Sequence, residues 1–339
     1  MAKINLMLEP NPEGTFFYYP GHLLKGTVEL VLDETKKFRG FYIQVFGQAK
    51  CQWTQGSGKS KTTYTGTEVY VNSRTYLFGE YGGPTFEMKS GSHKYKFACQ
   101  LPHQLPYTLD VTNGKITYRV EAVLDIPWKI DKETKVDIMI HRYDDLNLYP
   151  ELANPMRRAE RKTFITLFSE SKPLLMTVGI PYRGFAANQY APVSISYENE
   201  SSVDISMTKI KLIQTIVYTS PQQSRSKENE TVVIEAITEG VSAGSSKTIQ
   251  AGLNIPRVVN SNDKFCQVIT VTYSIEVEAE STGLHTNHKI RLPITIGTVP
   301  LTFNNQYESA QMAQPSAPVA EPFNYEKPPS YGETMKMAL

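Results

Sequence analysis

The residues with types and spacings that could do chemistry are few, and most fail on their neighbours. Gly56-Ser57-Gly58-Lys59-Ser60 ends like a phosphate-binding loop, but that loop's first glycine falls at position 53, which is Trp53. A polar loop is the better reading. His285 and His288 are three apart, a spacing that suits a metal on a helix, yet they sit in a Gly- and Thr-containing turn between two alternating apolar runs, with no cysteine or carboxylate pair beside them. Cys51, Cys99 and Cys266 are an odd number at wide spacings, so neither a disulfide framework nor a CxxC site is expected. Asp144 and Asp145 read as part of a connection between domains and not as glycosidase carboxylates. No catalytic residue, cofactor or metal site is expected, and the chain reads as a non-enzyme.

Two stretches remain that could do recognition. Pro328-Pro329-Ser330-Tyr331 lies eight residues from the last. Adjacent prolines hold φ near the polyproline II value and remove two backbone donors, so little ordering entropy is lost when a partner binds. Such a sequence looks like a WW-domain ligand: Pro328 and Pro329 lie in an aromatic groove, and Tyr331, one polyproline turn on, places its ring in a second pocket. The other stretch is basic. Arg157, Arg158, Arg161 and Lys162 form a cluster able to meet phosphate groups or anionic lipid, against the simpler reading of a solvated linker.

The elements that must position these stretches are strands. Val28, Leu30 and Leu32 share one face, Asp33-Glu34-Thr35-Lys36 breaks the run, and Phe41, Ile43 and Val45 resume it with period two. Residues 51–94, rich in Gly, Ser, Thr and Tyr, predict short strands and long polar loops. The clearest strand follows: Ile116, Tyr118, Val120, Ala122 and Leu124 face one way and Thr117, Arg119, Glu121 and Asp125 the other. Pro127 ends it, and Trp128 is expected to cover the sandwich edge. Val136, Ile138 and Ile140 add one more. After an irregular stretch the alternation restarts, with Val193, Ile195 and Tyr197, then Ile210, Leu212 and Ile216 beyond a polar turn at 199–204. Ile269, Val271, Tyr273, Ile275 and Val277 build a second long strand, and residues 290–296 a last one, at an edge because of Pro293. Helical periodicity is absent. The fold class is all-β, and the halves echo each other around Tyr118 and Tyr273, which implies two tandem sandwiches.

The expected boundaries are a first domain over 1–150, a linker over 151–163, a second domain over 164–299, and a disordered tail over 300–339. That tail carries prolines at 300, 315, 318, 322, 328 and 329 among Gln, Ala, Ser and Asn, and too little apolar area to offset chain entropy. A chain of about 30 such residues spans roughly 30 Å. Thirty-five basic against thirty-four acidic residues give a net charge of +1, so nucleic acid is not an expected partner. No apolar run reaches the ~18 residues of a membrane span, and the opening Met1-Ala2-Lys3-Ile4-Asn5 lacks the apolar core of a signal peptide. The expectation is a cytoplasmic protein, in which the sequons at Asn199 and Asn229 are coincidental.

Over nearly its full length the chain resembles the arrestin domain-containing proteins, the alpha-arrestins. Tyr19-Pro20-Gly21, Leu24-Lys25-Gly26-Thr27-Val28, Phe38-Arg39-Gly40-Phe41, Gly47-Gln48-Ala49 and Trp53 carry the resemblance. Leu101-Pro102, Leu105-Pro106, the run from Gly114 to Ala122, and Asp125-Ile126-Pro127-Trp128 continue it, and Asp145-Leu146-Asn147 with Pro150 resembles the family's interdomain segment. The resemblance implies two arrestin-type β-sandwiches that engage membrane receptor or transporter cargo, and a tail that recruits a WW-domain HECT ubiquitin ligase for ubiquitination and endocytic sorting. It also implies peripheral recruitment to the plasma membrane and endosomes. Many members carry two such tail motifs and this chain has one, so binding to a multi-WW ligase loses the bivalent gain. A retromer-type trafficking-coat subunit shares the tandem sandwich and is the alternative.

Overall fold

Alternation decides the layers. The structure, a computed structural model, describes residues 2–165 and 172–302. The first sandwich runs β1 (Ala2–Leu8), β2 (Phe17–Tyr18), β3 (Leu23–Leu32), β4 (Lys36–Phe38), β5 (Gly40–Gln55), β6 (Thr62–Gly79), β7 (Phe86–Met88), β8 (Gly91–Gln100), β9 (Leu109–Val111), β10 (Gly114–Asp125) and β11 (Lys132–Ile140). The second runs β12 (Met156–Lys162), β13 (Leu174–Ile180), β14 (Gly184–Ala186), β15 (Tyr190–Asn199), β16 (Ile205–Ser220), β17 (Arg225–Val241), β18 (Ser245–Asn254), β19 (Ile269–Ser281) and β20 (His288–Gly297). Among the described residues the only helical pieces are 3-10 turns of three or four residues.

The echo between the halves is a repeated topology. In the first, one sheet has the order β2-β11-β10-β5-β6 and the facing sheet β1-β3-β8; in the second the orders are β14-β20-β19-β16-β17 and β12-β13-β15-β18. Each larger sheet starts with a short parallel pair, β2 on β11 and β14 on β20, and otherwise its strands are antiparallel. The strands of Tyr118 and Tyr273 take the same place, flanked by long partners on both sides. Ile116, Tyr118, Val120, Ala122 and Leu124 are buried, as are Ile269, Val271, Tyr273, Ile275 and Val277. The two sandwiches belong to one compact unit that ends at Leu301.

Carboxylates on the outward faces of these central strands are held by cations from the same strand and from the strands beside it. Glu121 on β10 receives Arg119 Nε and lies 3.6 Å from Lys135 on β11. On β19, Glu276 accepts Arg291 Nε at 2.6 Å and lies 3.4 Å from Lys289, both on β20, while Glu278 binds Lys211 of β16 and accepts Asn287 Nδ2 at 2.7 Å. Cross-strand pairs of this kind fix register as well as charge.

Four expectations are corrected. Residues 51–94 do not form short strands with long loops: β5 and β6 make a hairpin of 16 and 18 residues, closed by a tight turn holding a 3-10 turn at Gly58–Ser60. Trp128 covers nothing; it stands at 102 % relative exposure in the β10–β11 turn. The stretch 151–163 is not an irregular linker, because Pro150–Ala153 forms a 3-10 turn and Met156–Lys162 pairs antiparallel with β13 as an edge strand. His288 is not in a solvated turn but buried at the start of β20, its Nε2 3.3 Å from the Glu160 carbonyl. Pro293 does lie where β20 has no partner on its outer side, since β14 pairs only Thr295–Gly297.

Burial alone pushes the Glu278 carboxyl up, but hydrogen bonds from Lys211 and Asn287 and the charges of Lys289 and Lys211 outweigh it and draw the group down to about 2. A depressed carboxylate contributes stability that is complete above its unfolded value and fades as pH falls toward the folded one. Glu278→Gln is therefore expected to lower the denaturation midpoint at pH 7 and to match the unmutated chain near pH 2, as urea titrations at the two pH values will register; an equal deficit at both rejects the assignment.

Candidate functional site: the interdomain junction and the basic edge strand

A phenol buried in an apolar core needs an acceptor, and in both sandwiches the central tyrosine finds one in a loop carbonyl. Tyr118 donates to the carbonyl of Pro106 and Tyr273 to that of Val259, each at 2.7 Å. Burial drives both hydroxyls up from the ordinary phenol range, Tyr273 to about 12, so they remain donors. The next residue of each loop then reaches the other: Tyr107 donates its hydroxyl to the Asn260 carbonyl at 2.7 Å. The two cores thereby place the loops that join them.

Asp144 completes the junction. Its Oδ1 accepts Arg142 Nε at 2.6 Å, its Oδ2 accepts Asn260 Nδ2 at 2.8 Å, and its main-chain carbonyl receives the amides of Thr298 and Val299. Arg142 lies across the ring of Phe265, 3.1 Å from its centre, and also donates to the Leu105 carbonyl. Asp145 bridges Val299 in parallel, and Asn147 donates to the Pro300 carbonyl. The connection that leaves the first sandwich is thus fastened to the residues that follow the last strand of the second.

A second contact joins the β5–β6 hairpin to the β16–β17 turn. Ser220 Oγ donates to the Thr65 carbonyl at 2.8 Å, Gln223 accepts from Thr65 N and donates to the Thr63 carbonyl, and Cys51 Sγ lies 3.4 Å from the Thr219 carbonyl. A Cβ on Gly66 would stand 2.0 Å from that same carbonyl, so only glycine permits the approach. Glu68 adds an acceptor for Gln267 N at 2.8 Å.

The basic cluster is divided by the strand it occupies. Arg157 and Arg161 share the outward face of β12 with Ala159, all exposed, and no carboxylate pairs with either arginine among the described residues. Arg158 Nε sits 2.7 Å from Glu160. Lys162 is turned inward, where its ammonium binds the carbonyls of Thr286 and Asn287 and the Thr286 hydroxyl, and burial lowers its pKa. Lys162 therefore ties the β19–β20 turn and drops out of the cluster, leaving Arg157 and Arg161 as its free cations. Pro328, Pro329 and Tyr331 lie outside the described residues.

Cys51, Cys99 and Cys266 are buried and free, and burial raises each thiol. Among the described residues no cluster of His, Cys, Asp or Glu could hold a metal, and no helix is long and apolar enough to cross a membrane. Asn199 is buried and donates its side-chain amide to the carbonyls of Val203 and Ser242, so its sequon cannot carry a glycan in this fold. Sequence reasoning placed Asp144 in the interdomain connection but gave no role to Arg142, Asn260 or Thr298. Their only advance signal was the polar run His141-Arg142-Tyr143-Asp144-Asp145 directly after an alternating strand.

Removing the Asp144 carboxylate strands Arg142, whose side chain is 15 % exposed, and takes the acceptor from Asn260 Nδ2, while the main-chain carbonyl still holds residues 298–299. Asp144→Ala is expected to cost about 3 kcal/mol, as breaking a buried pair does. Calorimetry should split the unfolding into two transitions and small-angle scattering should show a larger radius of gyration; a single unshifted transition would falsify the fastening role.

Residues 8–147 match the family model described as Arrestin (or S-antigen), N-terminal domain, and residues 170–301 the model of the C-terminal domain. Arrestin domain-containing protein 17 of Caenorhabditis elegans is 26% identical over 317 residues, covering 90% of this chain and 72% of that protein. Arrestin domain-containing protein 4 of Mus musculus is 26% identical over 350 residues, with 99% and 82% covered, and arrestin domain-containing protein 1 of Mus musculus 24% over 301 residues, with 88% and 65% covered. Two arrestin domains in tandem, built as the repeated sandwich described above and matched along most of the chain by these relatives, make it a member of the alpha-arrestin family of arrestin domain-containing adaptors.

Proposed function

We propose that this protein is a non-enzymatic adaptor that holds membrane receptor or transporter cargo through its tandem sandwiches and recruits a WW-domain HECT ubiquitin ligase through Pro328, Pro329 and Tyr331. The observation that carries the reading is the Pro-Pro-Ser-Tyr sequence that follows two arrestin domains in one chain. Its physical content is effective concentration: a ligase tethered to the body that holds cargo meets cargo lysines at something near millimolar. Proximity then stands in for catalysis, and ubiquitination with endocytic sorting follows at plasma membrane and endosomes. In the same reading, Arg157 and Arg161 supply cations to the phosphorylated tail of a cargo or to anionic lipid.

An isolated WW domain is expected to bind the full chain with a Kd in the micromolar range, about 8 kcal/mol. Tyr331→Ala should abolish binding in a titration while thermal unfolding stays unchanged, and phosphorylation of Tyr331 should abolish it too, because about −1.5 to −2 of charge cannot enter the tyrosine pocket. Retained binding in either form, or a stable stoichiometric coat partner co-purifying in place of a ligase, counts against the reading. For the edge strand, Arg157→Glu with Arg161→Glu is expected to weaken capture of a phosphorylated cargo-tail peptide at least about tenfold, with a steep loss on raising salt in the unmutated chain. Capture that is indifferent to both changes removes the strand from the proposal.

A further inference from the structure

The β10–β11 turn breaks two rules at one residue. Lys129 N donates to the Ile126 carbonyl at 3.3 Å across Pro127 and Trp128, and Trp128 has φ +61°. Pro127 fixes the first central φ as negative, so a positive second φ makes this a type II turn, whose third position normally holds Gly or Asn because a side chain crowds the backbone there. A tryptophan is the costliest kind of occupant. It gains nothing in return from the fold, since at 102 % exposure it makes no ring contact or hydrogen bond among the described residues. Asp131 Oδ1 accepts Ile126 N and holds the turn in this form.

Two more large apolar side chains stand at the same end of the sandwich. Ile130 is 95 % exposed, and Tyr81, in the β6–β7 connection, 82 %. Sheet register brings the two turns together: Asp125, the last residue of β10, pairs with Gly40, which pairs in turn with Gly79, the last residue of β6. Their strands are two apart, so the turns leave the sheet about 10 Å from each other. Arg39 lies between them, bound to Asp125 at 2.6 Å and within electrostatic reach of Asp131 and Tyr81. Charges of both signs neighbour the three apolar side chains: Arg39 is bound to Asp125, and Lys132 lies within electrostatic reach of Asp33.

We propose that this end of the N-terminal sandwich inserts Trp128, Ile130 and Tyr81 into the interface of a lipid bilayer. Trp128 and Ile130 project from one turn and Tyr81 from another, each almost wholly exposed. A rigid protein partner would need a fitted pocket for each, whereas the boundary between headgroups and acyl chains accepts any spacing. Tryptophan and tyrosine are the side chains that favour that boundary, with an apolar ring and one polar atom to leave in water. With neighbouring charges of both signs, the Arg39–Asp125 pair included, the attraction is carried by the apolar side chains, so it depends little on salt or on anionic lipid. The contact is independent of the tail motif and adds to the adaptor a direct hold on the membrane that carries its cargo.

Trp128 reports on itself, because the chain's other tryptophan, Trp53, is buried and contributes a constant background. The full chain is titrated with phosphatidylcholine vesicles and with vesicles that also contain phosphatidylserine. Tryptophan emission is expected to shift to the blue and to be quenched by brominated acyl chains in both. Trp128→Gly, which the turn's backbone accepts, is expected to lower co-sedimentation with vesicles by about tenfold or more without lowering Tm. Ile130→Ser should lower it partly, and Tyr331→Ala should leave it unchanged, so that failure here and failure of the ligase reading are separate results. Emission unmoved by either vesicle, Trp128→Gly sedimenting like the unmutated chain, or a photo-crosslinker at position 128 that captures cargo protein while vesicles go unbound overturns the proposal.

Discussion

A buried phenol that must find an acceptor is the constraint on which this architecture turns. Tyr118 and Tyr273 occupy the same place in the repeated sheets, and neither can leave its hydroxyl unpaired in an apolar core without a cost of about 1–3 kcal/mol. Each donates to a loop carbonyl, Pro106 in one half and Val259 in the other, and the residue after each carbonyl bonds to the opposite loop through Tyr107 and Asn260. Asn260 in turn presents its amide to Asp144, which holds Arg142 and the residues returning from β20. The position of the junction is therefore set from inside the two cores. The interdomain polar atoms inherit their geometry from hydrogen bonds that look, taken singly, like ordinary core satisfaction.

What could be read from the sequence follows from how strongly each segment is buried on one face. The central strands β10 and β19 have one core face and one outward face, and their alternation is plain from the residues alone. β6 and β12 are edge strands. With a partner on one side only, β6 carries Thr, Tyr, Val, Asn and Arg in no apolar rhythm, and β12 reads Met-Arg-Arg-Ala-Glu-Arg-Lys. Period-two reasoning has no signal in such segments, which is why one was expected as loop and the other as linker. The junction was hidden for a different reason. Arg142 and Asp144 are distant in sequence from Asn260 and Thr298, and only the tertiary pairing of two loops brings them to one place. The role proposed for the Pro-Pro-Ser-Tyr motif, by contrast, is argued from local backbone chemistry and needs no knowledge of the fold.

The same edge strands raise the question of why they stay unpaired. A strand with free N–H and C=O groups invites another chain, and charged side chains at an edge discourage this. β17 meets that need with Arg225, Lys227, Glu228 and Glu230 of mixed sign, and Glu230 is drawn into a pair with Arg291. β12 carries Arg158 balanced by Glu160, and Lys162 engaged with a turn. Arg157 and Arg161 are left over on the outward face. Protection of an edge is satisfied by mixed charge, so two unneutralised arginines two full pleats apart exceed what protection requires.

Trp128 fits the same test in apolar form. Natural sequences keep local preference and global fold in agreement, and departures are tolerated where something outside the fold supplies the compensation. A tryptophan in a left-handed turn position lowers stability, adds no packing, and exposes a large apolar surface; glycine would serve the turn better on every internal count. Tyr118 and Tyr273 also carry polar atoms into difficult places, but the fold answers them within hydrogen-bond distance. No such answer exists for Trp128 or for the Arg157–Arg161 face within the described residues. The difference separates the two kinds of unusual residue in this protein: those whose partners the fold supplies, and those for which the described residues supply none.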